Sequence, residues 1–114
     1  MVKVINPEEL EEYSPARHYD IFNRQIVGKP MGADKMSVAL GRIVPGGWAE
    51  IHTHENSEHC HYMLKGELVI TMPDDSIKVT AGQAVWTGVG EPHGMRNESN
   101  EEALYVVISA PLAT

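Results

Sequence analysis

The chain has 114 residues, a single cysteine and a formal net charge of −7, which points to one domain without an intrachain disulfide and fits a reducing compartment. Apolar residues make up 42% and charged residues 22%, the usual mix of a soluble globular protein. The acidic balance, with no Lys/Arg cluster, argues against nucleic acid and against anionic membrane surfaces as partners.

The first residues carry Lys3 and then Glu8, Glu9, Glu11 and Glu12, with no apolar run of the kind a signal peptide needs, so a cytoplasmic location is expected. Asn6-Pro7-Glu8-Glu9 offers an N-cap, a proline at the first helical position and acidic residues in the first turn. That predicts a short helical segment, ended near Ser14-Pro15. Tyr19 to Val27 reads as a strand closed by Gly28-Lys29-Pro30. Residues 1–35 are thus an N-terminal arm with edge strands.

From Met36 the chain becomes a series of short strands punctuated by turn residues. Val38 to Val44 is expected to stop at Pro45-Gly46-Gly47, and Trp48 to His54 at Glu55-Asn56-Ser57. Cys60 to Leu64, Glu67 to Met72, Ile77 to Thr80, Ala84 to Thr87 and His93 to Asn97 follow, with Pro73-Asp74-Asp75-Ser76 as a solvated hairpin turn. Leu104 to Ser109 is a continuous β-branched and aromatic run, expected of a strand covered on both faces. The surrounding apolar stretch, 103–113, is too short to span a bilayer. Short strands at regular spacing and ten glycines predict an all-β antiparallel sandwich or small barrel, with residues 36–110 as its core and 1–114 as one domain.

Five of the six histidines fall in two clusters. His52 and His54 alternate, as do His59 and His61, and His93 follows about forty positions later. In an extended strand, i and i+2 share a face. Convergent imidazoles suit a divalent transition metal.

These residues resemble the cupins, whose metal site is built from two motifs. The first runs Gly, five residues, His-x-His, three or four residues, Glu, six residues, Gly. Gly46, His52, His54 and Gly66 match it, with His59 standing where glutamate is usual. The second runs Gly, five residues, Pro-x-Gly, two residues, His, three residues, Asn. Gly82, Gly90, His93 and Asn97 match it, with Gly88 in place of proline. The resemblance implies a double-stranded β-helix, or jelly-roll barrel, here with a short N-terminal helical turn. It also implies a homodimer in which Tyr19 to Ile26 adds to the partner's sheet.

The ligand set expected is His52, His54, His59 and His93. Glu58 is the alternative to His59, since it keeps the three-residue spacing from His54. Neighbours on a regular strand point to opposite faces, which favours His59. Four neutral imidazoles leave a divalent ion at a formal +2, strongly Lewis acidic and attractive to an anion. Imidazole suits Zn, Cu, Fe and Ni, and the resemblance adds Mn.

The expected function is a metal-dependent enzyme acting on a small organic anion. The resemblance implies dioxygenase- or decarboxylase-like chemistry, an oxidoreductase or a lyase. The alternative is a non-catalytic small-molecule-binding module. His61 and Glu50 share strand faces with ligands and are the candidate general acid or base. His18 reads as a surface or interface histidine, Arg42 and Arg96 as surface arginines, Trp48 and Trp86 as core or cavity wall, and Asn97 as a residue that ties backbone.

Overall fold

Eight antiparallel strands form a single sheet that curls on itself in the order β5-β4-β7-β2-β8-β3-β6, with β1 on the other edge of β2. This is the arrangement of a computed structural model that describes residues 2–111; the end of the apolar stretch 103–113 lies outside them. The strands are β1 His18–Val27, β2 Ser37–His52, β3 Glu58–Lys65, β4 Glu67–Met72, β5 Asp75–Thr80, β6 Ala84–Thr87, β7 His93–Arg96 and β8 Ala103–Ala110. The ends of the order, β5 and β6, approach each other along a seam lined by Ile77 and Trp86, so the barrel is nearly closed. Only 3₁₀ turns accompany the strands, and among the described residues no helix is long and apolar enough to cross a membrane.

The alternation of small and large side chains fixes what each strand turns inward. Register aligns Ser37, Ser109, His59 and Thr87 in one row across β2, β8, β3 and β6. The next row is Ala39, Val107, His61 and Val85, and the row after it Gly41, Tyr105 and Met63. The inward face therefore grades from polar at one end to apolar at the other. The apolar end continues into a core of Ile21, Ile43, Leu68, Ile70, Val79 and Met95.

Three local expectations differ from the structure. The N-terminal helix is one 3₁₀ turn, Pro7–Glu9, with Asn6 Oδ1 accepting from Glu8 N–H, and it ends at Leu10 well before Ser14-Pro15. Pro45-Gly46-Gly47 does not stop a strand. β2 runs through it, because the tripeptide sits at the corner where β2 exchanges β8 as neighbour (residues 37–43) for β7 (residues 48–52). A proline needs no ladder partner at such a corner, and Gly46 takes the positive φ, +86°, that turns it. β8 is buried on one face and only half-covered on the other, where Ile108 is exposed.

The segment expected to add to a partner's sheet lies in β1, which along one edge pairs with β2 of its own chain, from His18 opposite Ala49 to Val27 opposite Val38. Trp48 and Trp86 lie outside, 44% and 66% exposed. Trp48 stacks on Tyr19 and Trp86 donates to the Glu58 carboxylate at 2.9 Å.

Candidate metal centre

His52 and His93 are opposite each other where β2 pairs with β7. The pairing contains a bulge: Ala49 faces Met95 and His52 faces His93, so β2 spends one more residue than β7 over the same stretch. The extra residue reverses the alternation. Ala49 and His52 both turn into the barrel, while Ile51 is exposed. Glu50 is thereby moved off the face of His52, and its carboxylate accepts a hydrogen bond from Tyr19 Oη at 2.5 Å, outside the cavity lining.

The Nδ1 of His52 is 2.7 Å from the carbonyl oxygen of Glu50, and that of His93 is 2.9 Å from the carbonyl of Glu91. A carbonyl can only accept, so each Nδ1 carries the proton and each Nε2 keeps its lone pair. His54 brings its Nε2 to 3.0 Å from that of His52. The donor atoms of His52, His54 and His93 all lie within 4.8 Å of one another. Neighbouring imidazole nitrogens on an ion at about 2.0–2.1 Å would have a similar spacing. All three residues fit a transition metal in donor type, and His52 and His93 fit it in proton placement as well.

His59 is buried on the inward face of β3, and its ring stacks on that of His54 with centroids 3.8 Å apart. Its two nitrogens contact the hydroxyls of Ser57 and Ser109, at 3.1 and 3.2 Å, both serines being buried. Glu58 points outward to Trp86, as strand alternation requires. His61 lies one row deeper, against Tyr105, and neither ring nitrogen has a hydrogen-bond partner among the described residues.

Burial is the main cause of the histidines' lowered basicity. It pushes His54 and His59 down to about 4 and His61 to about 3, with neighbouring imidazoles adding to the effect. His93 and His18 are lowered for the same reason. These residues are neutral near pH 7, the form that ligates metals.

The cavity around these side chains has a volume of about 250 Å³. His18, expected at the surface or an interface, lines it with its ring 5.7 Å from that of His52. Arg17 lines it too. Neither was legible, because both fall at the turn that opens β1, ahead of any periodic run. Arg42 is held elsewhere by Glu12 and Glu102, and Arg96 by Glu98. Asn97 donates to the carbonyls of Ile43 and Glu101, tying backbone as expected.

A family model described as Cupin domain matches residues 39–109. An oxalate-binding protein of Thermotoga maritima is 27% identical over 59% of this chain and 55% of its own length. The tetracenomycin polyketide synthase protein TcmJ of Streptomyces glaucescens is 28% identical over 74% of this chain and 58% of its own. The chain thus spans little more than half the length of these relatives. The solved structure of the polyketide cyclase RemF from Streptomyces resistomycificus superposes with a TM-score of 0.86 at 24% identity, covering 99% of this chain and 82% of that one.

Proposed function

The chain belongs to the cupin family, and from that premise we propose that it is a metal-dependent protein that binds a small organic anion and acts on it as an oxidoreductase or lyase. The observation that carries the reading is the convergence of His52, His54 and His93, two of them with Nδ1 held by backbone carbonyls. These three would hold a divalent ion, with His59 as the fourth ligand once Ser57 or Ser109 releases a ring nitrogen. Imidazole donors suit Mn, Fe, Ni, Cu or Zn. When bound, such an ion supplies Lewis acidity toward an oxygen donor of the ligand.

The protein's own residues set what can enter. At about 250 Å³ the cavity is smaller than the roughly 300–1,000 Å³ that accommodates drug-sized ligands, which favours a short organic acid over a polycyclic one. His61, neutral and unpartnered at the deeper row, would hydrogen-bond the ligand end that lies farthest in. Its burial favours holding a proton position over exchanging protons with water. Val107 and Met95 keep that end dry.

The relative described as oxalate-binding favours a second reading, a binding module without turnover. Oxygen uptake and carbon dioxide release from short organic acids, measured with the manganese-, iron- and zinc-loaded protein, separate the two. Turnover of any acid that is lost in His54→Ala supports the enzyme. Tight binding with no turnover of any bound acid would leave the binding module. His59→Ala is expected to retain metal with at least about tenfold weaker affinity; unchanged affinity would remove His59 from the ligand set.

A further inference from the structure

We propose that Arg17, at the mouth of the histidine cavity, grips a carboxylate of the ligand and so selects small organic acids over their neutral analogues. The inference rests on the reading of this cavity as an anion-binding metal site, and it names the residue that recognises the anion's charge.

The first observation is the distribution of charge. The chain has sixteen acidic residues and nine basic ones, yet among the described residues no aspartate or glutamate lines this cavity, and its one formal cation is Arg17. In a molecule of net charge −7, a lining that excludes every carboxylate and retains one guanidinium makes a local positive field. The second is that Arg17 makes no ion pair among the described residues. Arg42 and Arg96 are each occupied by carboxylates outside the cavity, so the fork of Arg17 is the one available there. A planar guanidinium can hold a carboxylate with two parallel hydrogen bonds.

The third observation is how the backbone sets it in place. Arg17 has φ +62°, a left-handed conformation uncommon outside glycine. Its carbonyl accepts from Glu50 N–H at 3.0 Å, the next rung after His18 opposite Ala49 in the β1–β2 register. His18 N–H donates to the Pro15 carbonyl at 3.2 Å, and His18 Nδ1 donates to the Ala16 carbonyl at 2.8 Å. The tight turn 15–18 is thus anchored to the bulge that aims His52 inward. One short stretch of β2, residues 49–52, positions both a metal-ligand candidate on its β7 side and the cation on its β1 side.

Isothermal titration of wild type, Arg17→Gln and Arg17→Lys, each with and without saturating zinc, tests the proposal with acetate, oxalate and malonate as probes and acetamide as the neutral control. Wild type is expected to bind at least one acid and not acetamide, with affinity that falls as salt rises because Arg17 is exposed. Arg17→Gln is expected to weaken acid binding at least about tenfold and to flatten the salt dependence, with zinc affinity unchanged. Arg17→Lys falls between. Equal acid affinity and equal salt dependence in wild type and Arg17→Gln would overturn the proposal, as would a wild type that binds none of the acids at millimolar concentration. Failure of the metal reading looks different: zinc would not bind wild type, whatever stands at position 17.

Discussion

His93 illustrates how much a metal ligand depends on residues that never touch the ion. Its Nδ1 is held by the Glu91 carbonyl, and the Glu91 carboxylate in turn accepts from Gly88 N–H at 2.8 Å. Gly90, at φ +76°, donates its N–H to the His54 carbonyl at 2.9 Å. The glycine where the family's motif has proline is therefore a donor that proline could not supply, and a Cβ there would sit 2.6 Å from the Glu91 carboxylate. Gly88→Pro is expected to lower zinc affinity by about tenfold, the low end of the effect of displacing a ligand's support; zinc titration with unchanged affinity would contradict that. The histidines also set a pH response. His54 and His59 titrate near 4 in the folded chain against 6.5 when exposed. As pH falls below 6.5 the unfolded chain takes up protons that the folded chain refuses, so stability drops progressively down to about pH 4 and then levels with respect to these groups. Thermal melts of protein stripped with a chelator should trace that decline. A Tm flat from pH 6.5 to 4 would mean the rings are not desolvated as described.

At the scale of elements, the alternation of β3 was readable from residues alone: His59, His61 and Met63 inward, Glu58 and Tyr62 outward. The short β6 was equally legible, and so was the hairpin of β4 and β5 except for its turn, which is Pro73-Asp74 alone, with Asp75 and Ser76 paired in β5. The bulge at 49–52 was not, because an extra residue leaves no mark in the pattern of side chains. That is why Glu50 was expected on the face of His52. The break expected at Pro45-Gly46-Gly47 is a corner instead, for proline and glycine report a bend without saying whether pairing resumes beyond it. Rows across β2, β8 and β3 give a sharper test of the fold. The ring of Tyr105 crosses the bare Gly41 to bring its hydroxyl 3.3 Å from Asn23 Oδ1, and a Cβ at Gly41 would run into that ring. Gly41→Ala is expected to cost about 1–3 kcal/mol, and much less in a Tyr105→Ala background. Additive costs in denaturant unfolding would show that the two residues do not meet.

Taken whole, the molecule divides its interior between an apolar core at one end and a histidine-lined cavity at the other, with the graded rows of β2, β8 and β3 joining them. Burial at the cavity end keeps the imidazoles neutral, and the exclusion of carboxylates from its lining leaves an ion's charge unopposed. That arrangement implies a metal bound at the cluster. Elemental analysis of untagged protein, purified without chelators, should be run beside His52→Ala, His54→Ala and His93→Ala. About one transition-metal ion per wild-type chain, lost or sharply reduced in each variant while the fold persists by circular dichroism, is the result predicted. Wild-type protein that carries none and takes up none on titration with manganese, iron, nickel, copper or zinc would contradict it.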